Sequence, residues 1–186
     1  MEYLESVPRS RSSFLQRLIG AATFRVSVYE EVEHDNTATG QAAAVVGLVA
    51  VAAAIGGAAG GIAAAVAGVA AAYIGWALWS GTCYLIGVQL FDGKADWGEL
   101  LRTIGFAQAP GVLLLFGFLL MPGAGELLKL GVYMWMVGTV LVAIRQALDF
   151  STGRALATAL AGFVPYWLAK ALVEFVLRLK PTVLPF

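Results

Sequence analysis

NTATGQAAAVVGLVAVAAAIGGAAGGIAAAVAGVAAAYIGWALWSGTCYLIGVQLF, from Asn36 to Phe91, is a run of 56 residues without an Asp, Glu, Lys, Arg or His. As one straight helix it would extend about 84 Å at 1.5 Å per residue, whereas the hydrocarbon slab of a bilayer is roughly 30 Å thick and is crossed by about 20 residues. The run must therefore fold back once. The cluster Gly56, Gly57, Gly60, Gly61 marks the place, because glycine relaxes the backbone limits and is the poorest non-proline residue at continuing a helix. Two membrane helices joined by a short turn are expected.

The rest of the composition agrees. Of the chain, 60% is hydrophobic and only 13% charged, the mean hydropathy is +0.80, and Gly and Ala are abundant where helices in lipid approach closely. The class is an all-α polytopic membrane protein whose first partner is the lipid bilayer. One domain is expected, since no polar linker long enough to separate two interrupts the apolar segments. A formal net charge of zero gives no reason to expect nucleic acid as a partner. The only cysteine, Cys83, has no intramolecular partner and nothing ionisable near it in sequence to lower its pKa, so it reads as a buried, inert thiol.

Ahead of the apolar run, residues 1–12 are polar, punctuated by Pro8, and read as a flexible N-terminus. Phe14 to Phe24 carries Gln16 and Arg17 inside it and so lacks the continuous apolar core of a signal peptide. Phe14, Leu15, Leu18, Ile19 and Ala22 share one face, the pattern of a short amphipathic helix lying on the membrane surface, with Ser12 or Ser13 as its cap. Ser27-Val28-Tyr29-Glu30 has the capping-box spacing and predicts the start of a second short helix. Residues 13–40 are thus amphipathic and juxtamembrane helices. The acidic cluster Glu30, Glu31, Glu33, Asp35 has a single histidine, His34, and no second ligand set at a recognisable spacing, so it reads as a solvated helix face and no metal is expected. No motif calls for a cofactor.

Five spans are expected within 41–179, at about 41–60, 63–91, 97–121, 126–148 and 152–179, followed by a C-terminal tail over 180–186. The small-residue pairs Gly56/Gly60, Gly57/Gly61 and Gly61/Ala65 predict close packing of the first two spans on each other, and leave a homo-oligomer open. Tyr73, Trp76, Trp79/Ser80 and Tyr84 form a packing or anchoring stripe on the second span. Asp96-Trp97-Gly98-Glu99 repeats the capping spacing and starts the third helix, which carries Arg102, Gln108 and Pro110. Pro110 predicts a kink repaired by neighbouring polar groups, with Gln108 two residues away. Pro122-Gly123-Ala124-Gly125 reads as a tight turn. Arg145 and Asp149 sit four apart, on one helical face, and Ser151 or Thr152 caps the fifth helix, whose Lys170, Glu174 and Arg178 form a stripe reaching towards headgroups.

Lys and Arg in short loops bias orientation. With five spans, one side holds Arg9, Arg11, Arg17, Arg25, Lys94, Arg102, Arg145 and Arg154, against Lys129, Lys170, Arg178 and Lys180 on the other. The excess places the N-terminus in the cytoplasm and the C-terminus outside the cell membrane. The same arrangement gathers Glu30, Glu31, Glu99, Arg102, Arg145, Asp149 and Arg154 at the cytoplasmic face. Charges at that depth are costly unless paired or wet, so a network joining Arg102 or Arg145 to Glu30, Glu31 or Asp149 is expected there, the alternative being separate solvated charges.

Four stretches carry a family resemblance: Val28-Tyr29-Glu30-Glu31-Val32; Ala38-Thr39-Gly40-Gln41-Ala42; Gly105-Phe106-Ala107-Gln108-Ala109-Pro110-Gly111; and the run from Arg145 to Ala155, RQALDFSTGRA. Together, over roughly residues 14 to 175, the chain resembles prokaryotic members of the Yip family. The resemblance implies a five-helix membrane domain with a cytoplasmic N-terminus. The eukaryotic relatives bind Rab-type GTPases and one another and act in vesicle traffic and membrane shaping. They do so with a long cytosolic N-terminal region, which is not expected in this chain, so GTPase binding is not carried over.

Two functional classes follow. The first is a non-enzymatic membrane-organising or trafficking-like scaffold acting through the cytoplasmic polar cluster, with protein partners or further copies of itself. The second is a small transporter or channel using Gln108, the Pro110 kink and Arg145/Asp149. Enzymatic activity is not expected: there is no metal-binding His pair, no nucleophile with a nearby base, no glycine-rich phosphate loop and no paired carboxylates inside a span.

Overall fold

The computed structural model describes residues 12–57, 61–120 and 124–177, and these are helical without a strand. In chain order they form α1 (Phe14–Ala22), α2 (Val26–His34), α3 (Ala38–Gly57), α4 (Gly61–Phe91), α5 (Trp97–Ala107), a 3₁₀ helix (Ala109–Leu119), α6 (Ala124–Ala147) and α7 (Thr152–Leu177). Four stretches are long and apolar enough to cross a membrane: Ala38–Gly56, Gly61–Phe91, Trp97–Gly117 and Ala124–Ala147. The expected fifth span, α7, is not among these four. The expectations for residues 1–11, for Pro122 and Gly123 of the predicted turn, for the side chains of Lys170 and Glu174 and for residues 178–186 fall outside the described residues, while Ala124 and Gly125, expected in that turn, open α6.

The ends of α2, α4 and α6 and the beginnings of α3, α5 and α7 meet at one end of the bundle, here called the polar end. There Arg102 of α5 reaches the last carbonyls of α2, and Gln146 of α6 reaches Glu30. Helix α3 is central, with its broadest contact on the 3₁₀ helix and further contacts on α5 and α4, while α4 packs along α7. Val45, Val46 and Val49 of α3, Ile104 and Phe106 of α5 and Ile144 of α6 are fully enclosed. The aromatic stripe of α4 is packing: Trp76 and Trp79 are buried, and the Trp79 ring meets Phe163 of α7 edge-on at 4.7 Å.

The fold-back within the charge-free run occurs where expected, and Gly61 takes φ +74°, a conformation that L side chains resist. Of the predicted close-packing glycines, Gly56 serves a different neighbour, while Gly60 lies outside the described residues. A Cβ on Gly56 would strike the Leu114 carbonyl, and one on Gly117 would lie 3.1 Å from the Gly56 oxygen, so α3 lies backbone to backbone on the 3₁₀ helix rather than on α4. Against α4, α3 uses Gly47, over which the Tyr73 hydroxyl passes to donate to the Ala43 carbonyl at 3.0 Å.

At Pro110, where a kink is expected, the helix changes type. Pro110 has no N–H, and the Gly111 N–H turns to the Gln108 carbonyl at 2.8 Å, which leaves the Ala107 carbonyl without a main-chain donor. Thr139 of α6 supplies one, its hydroxyl donating to that carbonyl at 2.6 Å. The repair predicted for Gln108 thus comes from α6, because a hydroxyl one helix away points at the orphaned oxygen.

Gly56→Ala should lower the thermal unfolding midpoint in detergent, by an overpacking cost of about 1–3 kcal/mol, because only backbone stands in the way. Gly68→Ala, with nothing within 4 Å, should leave the midpoint unchanged or raise it.

Candidate functional site

Helix α1 starts at Ser13, whose hydroxyl accepts from the Gln16 N–H at 3.3 Å while Gln16 Oε1 accepts from the Ser13 N–H at 2.8 Å. The capping prediction holds, and the helix splits its residues between two sides. Arg17, Gly20 and Ala21 are buried, and Leu15 and Ile19 are 60% and 54% exposed. Gly20 allows this, since a Cβ there would strike Val28 of α2.

Arg17 is only 1% exposed and is the hub of the polar end. Its Nε and Nη2 donate to Glu31 Oε1 at 3.1 and 2.8 Å, Nη2 to Asp35 Oδ2 at 2.7 Å, and Nη1 to Gln41 Oε1 at 3.0 Å. Glu31 is held further by the Ser12 N–H at 2.9 Å and the Ser12 hydroxyl at 2.6 Å. Asp35 turns its other oxygen to the Thr37 N–H and hydroxyl, at 3.0 and 2.6 Å, and so shapes the corner into α3. One cation thereby ties α1, α2 and the first turn of α3. Burial opposes charge on Glu31, but the hydrogen bonds from Ser12 and Arg17 outweigh it and hold the carboxyl below its ordinary range.

Arg102, 4% exposed, is the second anchor. Its Nε donates to the Val32 and Glu33 carbonyls, each at 3.0 Å, and Nη2 donates to Glu33 as well. A cation therefore sits on the negative end of α2, where the last carbonyls lack helical partners. Arg102 is delivered there by α5, which begins with the expected reciprocal cap: the Glu99 N–H to Asp96 Oδ1 at 2.7 Å and the Asp96 N–H to Glu99 Oε2 at 2.8 Å.

The predicted cross-helix network is thus replaced by another. Among the described residues no ion pair joins Arg102 or Arg145 to Glu30, Glu31 or Asp149. Arg145 Nη2 donates to Gln146 Oε1 at 3.3 Å, and Gln146 Nε2 to Glu30 Oε1 at 3.4 Å. Asp149 leaves the face of Arg145 because α6 ends at Ala147; the residue takes φ +54° and the Phe150 N–H returns to the Arg145 carbonyl at 2.9 Å. Arg154 is exposed on the first turn of α7. Ser27 lies inside α2, which starts at Val26 behind Arg25, so the Ser27 capping box is not formed.

Gln108, at the joint between α5 and the 3₁₀ helix, is 5% exposed, and Pro110 is the second residue of that helix. Gln108 lines a cavity with Trp79, Tyr133, Met136, Val137, Val140 and Phe163, whose free space of about 20 Å³ is that of one water. Among the described residues no group of three His, Cys, Asp or Glu is placed to hold a metal ion.

Arg17, Asp35, Gln41 and Ser12 were not singled out as site residues from sequence. The signal was present in the lone cation of α1 and in two carboxylates, Glu31 and Asp35, four apart on the next helix. Beside them Glu33, half-buried, is pushed up to about 7, first by burial and then by repulsion from Glu99, Asp149 and Glu30, with His34 opposing. His34 itself is raised, its Nδ1 lying 2.9 Å from the Glu30 carbonyl.

A family model described as the Yip1 domain matches residues 19–172 of the chain. No curated protein and no solved structure matches it.

Arg17→Met should cost about 3 kcal/mol of stability, since it strands two carboxylates of which Asp35 is 7% exposed. Glu33 gives a pH signature. Between its ordinary value of 4.5 and about 7 the folded chain keeps a proton that the unfolded chain releases, so stability falls as pH rises through that window. The unfolding midpoint in detergent should drop from pH 5 to pH 8, and Glu33→Gln should flatten the slope. Glu31 acts oppositely: its contribution is present above 4.5 and disappears as pH falls below it.

Proposed function

Since the chain belongs to the Yip1-domain family of membrane proteins, we propose that it is a non-enzymatic, multi-pass scaffold that organises the bilayer, or proteins within it, through its polar end. The observation that carries this reading is the docked α1–α2 cap. Trp135 Nε1 donates to the Ala22 carbonyl at 2.8 Å, and Gly138 lies against the Phe24 ring. These two α6 residues precede the helix end at Ala147 by roughly 18 and 13 Å along the axis at 1.5 Å per residue. The corner between α1 and α2 is therefore sunk beside α6, with Leu15, Ile19 and Phe24 exposed on its outer side. In a bilayer those side chains meet acyl chains, and the cap becomes a body embedded in one leaflet. Above it, Glu30 and Asp149 are exposed and Glu33 and Glu99 half-exposed, forming an acidic rim to which protein partners or a second copy would bind.

In this reading α7 is the fifth span. Its 26 residues are long enough, and it runs back along α4, where the Thr82 hydroxyl donates to the Gly162 carbonyl at 3.0 Å. The N-terminus is then cytoplasmic and the C-terminus outside. Gln108, Pro110, Arg145 and Arg154 act as structural parts of the cap and bundle. The scaffold reading is favoured over transport by the cavity at Gln108, whose space for one water is far short of a solute path.

Reconstitution into liposomes tests the proposal. Proton and ion flux should equal that of empty vesicles, while vesicle size and shape should change with protein density and revert with Leu15→Glu/Ile19→Glu. Flux in the wild type that Gln108→Ala abolishes would put the transporter first.

A further inference from the structure

Ala109–Leu119 holds the 3₁₀ conformation for 11 residues, well beyond the three or four at which such helices usually stop. Its sequence does not demand this. After Pro110 it is rich in Leu, Val and Phe, which an α-helix accommodates, and Pro110 near the start of a helix breaks little. What the 3₁₀ form does fit is the contact with α3. At three residues per turn Gly111, Leu114 and Gly117 line up on one face: a Cβ on Gly111 would strike Val49, and Leu114 and Gly117 lie on Gly56. In an α-helix each step of three lags by about 60°, so Gly117 would sit about 120° away from Gly111 and the stripe would be lost.

The α register is nonetheless within reach of the same main chain. The Gly111 N–H would return to the Ala107 carbonyl, the atom that the Thr139 hydroxyl serves in the 3₁₀ form. Both registers satisfy the backbone in lipid, which is the condition for either to exist there. The joint also borders the cavity at Gln108. The two forms differ in length: at 2.0 Å per residue the segment spans about 22 Å, and at 1.5 Å per residue about 16–17 Å.

We propose that Ala109–Leu119 is a length-adjusting segment, 3₁₀ in thick bilayers and α-helical in thin ones, through which the third span matches the hydrophobic thickness around it. The ligand is the bilayer itself. Mismatch carries a free energy for every ångström, so a change of several ångström gives the two forms different affinities for a given thickness, which is what shifting the equilibrium requires. Gly56 biases the equilibrium towards the long form, since its fit against Leu114 and Gly117 depends on the 3₁₀ register, and Thr139 supports it by giving the Ala107 carbonyl the donor that this register withholds.

The test is a distance measurement on the full chain carrying Cys83→Ala, with spin labels at Trp97 and Leu119, both exposed, in phosphatidylcholine liposomes of fourteen- and twenty-two-carbon chains. The separation should fall from about 38 Å in the thick bilayer to about 33 Å in the thin one. A control pair at Leu78 and Leu90, inside the regular helix α4, should stay constant. Thr139→Val, which removes the donor specific to the long form, should shift the population to the short distance in both lipids. Equal distances in both bilayers, or an equal change in the control pair, would overturn the proposal, and the wild-type comparison decides it even where Thr139→Val does not fold.

Discussion

A guanidinium withdrawn from solvent must be surrounded by acceptors, and Arg17 meets that condition in only one way: with Glu31, Asp35 and Gln41 converging on it from α2 and the start of α3. The rest of the polar end follows from that convergence. Holding Glu31 and Asp35 sets the roll of α2, and the roll of α2 presents its final carbonyls to Arg102. Arg102 in turn sets the depth of α5. The charges therefore specify how the cap sits on the bundle, while the apolar surface of Val28, Tyr29 and Val32 beneath it supplies the attraction.

The same demand for satisfied polar groups operates inside the bundle, where no water competes. The Ala107 carbonyl, deprived of a donor by Pro110, finds Thr139. The Trp76 indole N–H finds the Leu101 carbonyl at 3.0 Å, and the Tyr73 hydroxyl the Ala43 carbonyl. These are side chains of α4 and α6 bonding to the backbones of α3 and α5, so the helices are stitched as well as packed.

Features that depend on one element alone were legible in the sequence. A charge-free run too long for one crossing had to fold back, and the reciprocal cap of Asp96 and Glu99 needs only neighbours three residues apart. The third span, the turn glycine and the aromatic stripe belong to this kind. Features that depend on which element lies alongside were not. The partners of Arg17 were not legible, because its own helix shows only that it lies off the face of Leu15 and Ile19, and Glu31, Asp35 and Gln41 come from the next two helices. Arg145 and Asp149 are four apart in number but not on a face, since the helix stops between them. Ser27 matched a capping spacing, yet α2 starts before it. The 3₁₀ form of Ala109–Leu119 lies backbone to backbone on Gly56 of another helix, a contact beyond the reach of any local pattern.

The reach of the contacts on the cap also dictates an order of assembly. Arg17 meets Glu31 and Asp35 across 14 and 18 residues, so that knot can tie itself as soon as α2 has emerged from the ribosome. Arg102 lies 70 residues beyond Val32, Trp135 113 beyond Ala22, and Gln146 116 beyond Glu30. The contacts within α1 and α2 are short in sequence, and those that seat them are long. Arg17 offsets only part of the charge of that pair, one cation against the Glu31 and Asp35 carboxylates, and the contacts that seat it need α5 and α6.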